Sequence, residues 1–544
     1  MSSLPSFENW MENGATSFLA FAIGALSICG MLTMRLMLSC GNRLPYPPGP
    51  PEKQWLSGHI SILPLKEPWK VYTDWMHKYG SIIHVRLFQQ HMIFLSTIED
   101  CIELYEKRST VYSDRPPSAM VDLMGWDFNL GLMPYGARWR VQRRLFQQAF
   151  KKDTSLSYRP EQTRKINDML FGLLISPEEY RNHLKTVTAA IVMSITYGYD
   201  IEPKEDYFVN ISEAAQSRLT LALIPGASLL NIIPALRFLP SWLPGTGFLK
   251  IAAETRELTT QMKEVPFQWV ENNVANGKFD HCLVADRLTS SKTEGDIAAL
   301  KDFAALIYTA GADTTTSSLE TFSYAMAISP DVVDKAQTEL DAVVGRDRLP
   351  NYGDHDSLPY IEAIVREVLR WRPVLPLSPP HSTKGDDVYK GYFIPKGAVI
   401  MTNVWAISRN EEKYKDPESF NPNRFFDADG NLNDDDSNYI FGFGRRICPG
   451  RHMARATVRF SSSRYSPQRL TDAQLWLSMA CILALFDIGK AKDEQGNDIP
   501  ITGEYTDSLV SHCMEHQCSI VPRFPETEGL IKEVVTRTKD HRAY

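Results

Sequence analysis

"FGFGRRICPG", Phe441 to Gly450, decides how this chain is read. Gly442, Gly444 and Gly450 permit turns and close backbone approach that a Cβ forbids. Pro449 stiffens the loop, and Arg445, Arg446 and Arg451 surround one sulfur, Cys448, with positive charge that favours thiolate. The ordinary role of a lone cysteine is that of a small, inert, buried hydrophobe. Two functional readings stand beside it. A nucleophile wants a nearby base, and His452 is available. An iron ligand wants a protected sulfur, N–H groups aimed at it and a flat apolar neighbour such as Phe441. The ten residues alone leave both open.

Around this loop lie 544 residues, 43% apolar and 23% charged, enough to bury a large core. A net charge of −7 gives no reason to expect nucleic acid as a partner. Eight irregularly spaced cysteines (29, 40, 101, 282, 448, 481, 513 and 518) are no disulfide framework and suit a reducing compartment.

Near the N-terminus, "ATSFLAFAIGALSICGMLTM" (Ala15 to Met34) runs twenty residues without a charge. At ~1.5 Å per residue it matches a bilayer's hydrocarbon thickness. Glu8 and Glu12 precede it and Arg35, Arg43 and Lys53 follow, so the positive-inside bias places the rest of the chain in the cytosol. A cleaved signal peptide would carry a basic leading region and a small-residue cleavage site, and neither is present; a buried core helix is the plainer alternative. "LPYPPGPP" (Leu44 to Pro51) excludes regular helix and reads as a stiff tether. The expected organisation is a membrane anchor over 1–40, a Pro-rich linker over 41–54 and one catalytic domain over 55–544.

Within that domain, "SIIHVRLFQQHMIFLST" (Ser81 to Thr97) predicts a hairpin turning at Gln89–Gln90. Gly295 to Ile328 predicts a long apolar helix, and "YIEAIVREVLRWR" another that stops at Pro373. "GYFIPKGAVIMTN" reads as strand, turn, strand. The stretch Ala222 to Phe248 is apolar but broken by proline and glycine. It is either a flap dipping into a membrane surface or a buried connection. The fold class expected is mainly α with small β-sheets, preceded by one transmembrane helix.

Phe441-x-x-Gly444-x-Arg446-x-Cys448-x-Gly450 resembles the haem-binding loop of the cytochrome P450 family at every defining position. Four further motifs resemble that family, in its order: "WRVQR", "AGADTT", "EVLR" and "FNPNRF". The resemblance covers about residues 45 to 525 and looks microsomal and fungal. It implies haem b with Cys448 as axial thiolate, and Trp139, Arg143, His381 and Arg446 on the haem propionates, cation to carboxylate. It implies Asp313 and Thr314 as the acid–alcohol pair that relays protons for oxygen activation. Read alone, the Gly311 and Thr314–Thr316 stretch is merely poor helix former. With the resemblance it predicts a helix that opens locally as hydroxyls and water replace backbone bonds. Glu367 and Arg370 alone would be an exposed ion pair of a few tenths of a kcal/mol. With the resemblance they join Arg424 in a buried network supporting the cysteine loop.

The implied function is a monooxygenase of the endoplasmic reticulum membrane, single-pass and facing the cytosol. It would hydroxylate a lipophilic molecule (terpenoid, steroid or polyketide of fungal secondary metabolism) with O2 and electrons from an NADPH–cytochrome reductase, which Arg445 and Arg451 could help dock. A haem-thiolate isomerase or dehydratase is the rival, which the Asp313–Thr314 pair disfavours. The pocket is expected along Met120 to Leu132, the apolar stretch, Val374 to His381 and Ser508 to Cys518. "SHCMEHQC" (Ser511 to Cys518) has the look of a zinc set, but its place in the family's order sets it in a hairpin near that pocket.

One segment does not fit the resemblance. In the family a helix follows the cysteine loop without a break, whereas Arg455 to Thr471 interposes seventeen residues with four serines, four arginines and Pro467. Joined without them, "RHMADAQLWLSMACILALF" has one continuous apolar face. The insert reads either as a surface loop or as a short intron translated in frame. If real, it weakens haem retention or electron transfer and raises a third reading, a non-catalytic haem-binding relic.

Overall fold

The computed structural model describes residues 44–540, apart from 224–229, 231–233, 241, 244, 279–280, 292 and 455–473. The expected anchor at 1–40, most of the apolar stretch at 222–233 and the insert at 455–471 lie outside the described residues. Among the described residues no helix is long and apolar enough to cross a membrane.

The larger unit comprises residues 48–385 and 396–544. Helix α1 (Pro68–Tyr79) opens on proline, whose missing N–H costs nothing in a first turn, and ends at Gly80 with φ 104°. Strands β1 (Ile82–Leu87) and β2 (Gln90–Leu95) form the expected antiparallel hairpin, turning through Phe88 and Gln89. Helices α2 (Ala137–Ala149), α3 (Arg159–Ile175), α4 (Tyr180–Tyr197), α5 (Tyr207–Leu223) and α6 (Gly247–Ala275) follow. Then comes α7 (Glu294–Ile328), 35 residues long, or about 50 Å. A reciprocal cap starts it: Thr293 Oγ1 accepts from the Asp296 N–H while the Asp296 carboxylate accepts from the Thr293 N–H. Helix α8 (Pro330–Val343) precedes α9 (Pro359–Trp371), which stops two residues before Pro373.

Strands β3 (His381–Ser382) and β4 (Val399–Thr402) complete a four-stranded sheet in the order β1-β2-β4-β3, with β2 and β4 parallel. Helix α10 (Gln474–Leu485) is buried throughout and runs directly into β5 (Phe486–Lys490), which pairs with β6 (Cys518–Pro522). Helix α11 (Thr527–Asp540) closes the described chain.

The smaller unit comprises residues 386–395 with the chain up to Pro47. Its strands Asp387–Tyr389 and Tyr392–Ile394 pair across Lys390 (φ 50°) and Gly391 (φ 81°), a two-residue turn with both central φ positive. The Phe393 N–H donates to the Pro45 carbonyl at 2.8 Å. The strand, turn, strand expected over "GYFIPKGAVIMTN" is found as Tyr392–Ile394, a turn at 396–397, and Val399–Thr402. Tyr392–Ile394 pairs back to 387–389, whereas Val399–Thr402 pairs with β2 and β3.

The core is helical, centred on α7. Its residues 302–309 and 315–327 are buried, whereas Ala310 is exposed and Gly311 to Thr314 are half-buried in mid-helix. The expectation that α7 opens there is corrected: it is continuous from 294 to 328. The hydroxyls of Thr314, Thr315 and Thr316 donate to the carbonyls of Ala310, Gly311 and Ala312 at 2.8, 2.8 and 3.0 Å. They therefore bond within the helix instead of replacing its backbone bonds.

Candidate active site

The cysteine loop is held by its backbone. The Cys448 N–H donates to the Phe441 carbonyl at 2.8 Å, closing the loop on itself. Gly444, at φ +57°, lies so close to the preceding layer that a Cβ would stand 2.2 Å from the Tyr105 carbonyl oxygen. Glycine is required there on both counts. Cys448 lies deep yet keeps some accessible surface. Burial pushes its thiol up, opposed by the N–H groups of Gly450 and Arg451 and by the charges of Arg143 and Arg451. Those opposing groups all favour the anion that a metal would bind.

Helix α2 brings Trp139 and Arg143 to the same place, both buried, with the guanidinium 6.0 Å from the indole centre. Arg446 stacks on the other side of the picture: its guanidinium lies 4.6 Å from the Trp139 ring. It donates to the carbonyls of Ser113, Leu130 and Met133 at 2.8, 3.0 and 2.8 Å, which fixes the loop to the segment before α2. His381, on β3, is buried, and its Nδ1 donates to the Tyr112 carbonyl at 2.8 Å. Burial, then the charges of Arg115 and Arg446, hold its pKa well below the usual imidazole value. It is neutral, with its proton on Nδ1, and must take up a second proton to donate from Nε2 to a carboxylate.

Arg115 belongs to the same cluster and is absent from the sequence reading. It is buried, donates to the carbonyls of Gly131, Pro379 and Pro380 at 2.6, 2.9 and 2.8 Å, and acts electrostatically on both His381 and Arg446. Its signal was a lone cation ahead of two prolines in an apolar stretch, "SDRPPSAM".

Two buried donors, Trp139 Nε1 and Arg143 Nε, have no partner among the described residues. Unsatisfied buried donors are costly, and here they sit within a ring of cations. The donor set fits a buried dianion beside a protected sulfur, which is the chemistry of a haem's two propionates and its axial thiolate.

Behind the loop, Glu367 and Arg370 are fully buried on α9 and paired through two bonds, Nε–Oε2 at 2.6 Å and Nη2–Oε1 at 2.8 Å. Arg424 Nε adds a third contact to Glu367 Oε1 at 3.1 Å, and the Asn421 N–H a fourth at 2.8 Å. The structure thus brings all three expected support residues together. Tyr439, two residues before Phe441, lies within electrostatic reach of Arg370, and this links the network to the loop.

Asp313 and Thr314 sit at the half-buried break in α7, with side chains engaged differently. Thr314 Oγ1 bonds back along the helix. Asp313 Oδ2 accepts from Gln216 Nε2 at 2.8 Å, and its Oδ1 faces His512 Nε2 at 3.0 Å. His512 Nδ1 faces Glu320 Oε2 at 3.0 Å. His512 falls in the stretch Ser508 to Cys518 expected near the pocket, and no motif singles out Glu320. Glu320 lies seven residues after Asp313, so both carboxylates share one helix face. Of the other residues in that stretch, Cys513 Sγ lies 3.6 Å from His516 Nδ1. Among the described residues no group of three or more His, Cys, Asp and Glu is arranged to hold a metal.

A cavity of about 1110 Å³ approaches this region. Val121, Leu132, Met133, Leu377, Val399 and Met401 line it, and it reaches Arg115 and Trp139 of the cationic cluster. Cys448 and Thr314 are not part of its wall, so it is the approach to the site and not the reaction chamber. Of the expected pocket segments, 120–132, 374–381 and 508–518 each contribute to its lining.

The family model for cytochrome P450 matches residues 47–461. This chain belongs to the cytochrome P450 family. It is similar to the cytochrome P450 monooxygenase ple1 of Rhodocybe pseudopiperita, 38% identical over 89% of this chain and 91% of that one. It is similar also to cytochrome P450 monooxygenase 176 of Postia placenta (36%, 95% of this chain and 97% of that one) and to COX2 of Coprinopsis cinerea (36%, 94% and 95%). The protein is therefore an O2-dependent oxidoreductase that uses haem with cysteine-thiolate ligation, takes electrons from a redox partner and acts on a small molecule. Bound haem supplies an iron whose thiolate ligand promotes O–O cleavage. Of the P450's own residues, Cys448 would supply the thiolate and Trp139, Arg143 and Arg446 the cradle for the propionates, beside a mainly apolar cavity, while Asp313 is held by Gln216 and His512.

Proposed function

We propose that this P450 is anchored in the endoplasmic reticulum membrane by Ala15 to Met34, with its catalytic domain in the cytosol. It receives electrons from an NADPH–cytochrome reductase and hydroxylates a lipophilic molecule, such as a terpenoid, steroid or polyketide of fungal secondary metabolism. The cavity carries the argument: its wall is mainly apolar and its size suits a bulky apolar substrate. Leu65 both lines it and is 79% exposed, so an apolar side chain stands at the mouth. Phe238 and Trp242, at 76% and 78% exposure, are further large apolar side chains left in water unless a membrane covers them. Arg237, next to Phe238, interacts with Asp122 of the cavity wall, so that segment lies beside the same cavity. Microsomes from cells expressing the full chain with a reductase, incubated with a panel of such compounds and NADPH, should form a product 16 mass units heavier. Product formation without NADPH would favour the isomerase reading, and a protein that pelleted with no membrane fraction would refute the anchor.

We also propose that 455–471 is translated intron. A short helix, Arg451–Ala454, precedes it and the wholly buried α10 follows it, and the family match ends at residue 461, inside the segment. A transcript encoding all seventeen residues refutes this. In that case a deletion of 455–471 that does not improve haem retention also excludes the relic reading.

A further inference from the structure

Asp313 has a partner whose protonation is dictated by geometry. Both nitrogens of His512 face carboxylate oxygens at 3.0 Å, Nε2 toward Asp313 and Nδ1 toward Glu320. An ionised carboxylate can only accept, so both nitrogens must carry protons, or one acid must. Either way the cluster holds a proton that a neutral histidine between two carboxylates would lack. Arg181 Nη2 supplies Glu320 with a cationic partner at 2.8 Å and also donates to the Cys513 carbonyl at 2.9 Å, tying Glu320 to the segment that carries His512. Ser317 Oγ on α7 donates to the Ser511 carbonyl at 2.7 Å, fixing that segment to the helix next to His512.

We propose that His512 is the proton reservoir and positioning residue of Asp313, an imidazolium clamped by Glu320 that holds the Asp313 carboxylate against the hairpin and hands it a proton. In the transfer the Nε2–H bond breaks and an O–H bond forms on Asp313 Oδ1. The imidazole is left neutral, its remaining proton still donated from Nδ1 to Glu320, and no electrons move. The side chain keeps 24% of its surface accessible, so water can return a proton. Once protonated, Asp313 no longer pairs with His512 as an anion: its new O–H donates to the now neutral Nε2, a weaker hold than the ion pair, and the Gln216 bond is its other restraint.

The other titratable groups in the neighbourhood leave His512 as the one that switches in the mildly alkaline range. Burial opposes its charge, but the bonds to Asp313 and Glu320 win and raise its pKa to about 9. Burial pushes Cys513 up to about 12 and Tyr505 and Tyr324 above the ordinary phenol value, so all three stay neutral. Burial lowers His516, which stays uncharged above neutrality.

The inference rests on Asp313 serving proton delivery and not on any substrate class, so substrate-free NADPH consumption by the holoenzyme with its reductase is the assay. In the wild type the rate should fall as pH rises through about 9. His512→Gln should lower it roughly tenfold or more at pH 7.5, abolish that high-pH limb and enlarge the solvent deuterium isotope effect. Glu320→Gln should move the limb to lower pH. Melting of the ferric proteins gives a readout apart from turnover. A histidine raised above its unfolded pKa of ~6.5 stabilises fully below that value and loses its contribution as pH rises through the folded one. The wild type should therefore lose more melting temperature between pH 7 and 10 than His512→Gln does. Reduced-CO spectra confirm the thiolate band in each variant. If Asp313→Asn consumes NADPH like the wild type, the role of Asp313 is wrong. If Asp313→Asn is impaired but His512→Gln matches the wild type in rate and pH profile, the inference about His512 is overturned. Should His512→Gln lack the thiolate band, an unshifted limb in Glu320→Gln overturns it instead.

Discussion

Replacing Glu367 with glutamine tests whether the buried network on α9 supports the haem loop. The side chains of Glu367 and Arg370 are fully buried, and that of Arg424 is 8% exposed. One carboxylate thus answers two guanidinia, and its Oε1 alone receives Arg370 Nη2, Arg424 Nε and the Asn421 N–H. Glutamine keeps the volume but removes the charge, and its amide N–H2 would meet guanidinium donors. Removing one partner of a buried pair costs about 3–5 kcal/mol. The stretch 55–544 has roughly 490 residues. An unfolding entropy of ~2.1 cal/mol/K per residue gives about 1 kcal/mol per degree. The expected fall in melting temperature is therefore ~3–5 °C, small for so large a loss because the domain is large.

The local effect should exceed the global one. Arg370 also donates to the carbonyls of Ser408 and Pro417, and Arg424 to those of Lys415 and Asp416. Without Glu367 both guanidinia are released from the geometry that orders 415–421. Expression with haem supplementation, followed by the ratio of haem to protein and the reduced-CO spectrum, measures this. We expect sub-stoichiometric haem and a thiolate band that decays to the inactive form. The double variant Glu367→Gln/Arg370→Met removes the orphaned charge and should be destabilised by less than the sum of the singles. Full haem content with melting within ~1 °C of the wild type would refute the supporting role.

Trp139→Phe deletes one partnerless buried donor without a large change in volume. A hydrogen bond to a charged group is worth about 1.5–3 kcal/mol, so haem should transfer to apomyoglobin roughly tenfold to a hundredfold faster. Gly444→Ala places a Cβ 2.2 Å from the Tyr105 carbonyl at φ +57°, and loss of the thiolate band in reduced-CO spectra is the expected result. His84 is a buried strand residue whose Nε2 lies 2.9 Å from His91 Nδ1. Burial first, then His91 and His59, lower its pKa to about 4. The unfolded chain takes up this proton below pH ~6.5 and the folded one does not, so roughly 3 kcal/mol of stability is lost as pH falls from ~6.5 to ~4. His84→Gln should flatten that part of the melting profile.

What the sequence shows and what it hides follow from the range of each interaction. The hairpin over β1 and β2, the length of α7 and the stop before Pro373 are local, set by alternation, helical spacing and proline. Val399–Thr402 was legible as a strand, but its parallel partner lies some three hundred residues earlier at Met92–Leu95, and no local pattern carries that pairing. The threonines of α7 read alone as poor helix formers, and the family resemblance turned that into an expected opening. Packing overrides this, with Thr315 and Thr316 buried and their hydroxyls bonded one turn back. Asp313, Cys448 and the Glu367–Arg370 spacing were legible through their motifs. Arg115 was not, because its role exists only once β3 and the segment before α2 meet around it. His512 was visible only as part of a stretch expected near the pocket, and only the fold shows that both its ring nitrogens turn to acids.

The two polar clusters differ in how their charge closes. Around Asp313 the sum is already near zero: Asp313 and Glu320 against Arg181 and the His512 imidazolium. Such a cluster can shift a proton internally at little electrostatic cost, because no net charge is created in a low-dielectric place. Around Trp139 gather the guanidinia of Arg115, Arg143 and Arg446, with the Asp114 carboxylate acting on the first and last of them, and His381 is held neutral by burial and then by Arg115 and Arg446. That excess of positive charge is stable only with a dianion among the guanidinia, and two propionates bring it to neutrality. A haem ester with one propionate blocked should therefore be retained markedly less well than haem itself, and raising salt should not compensate, since the charges it would have to screen are buried.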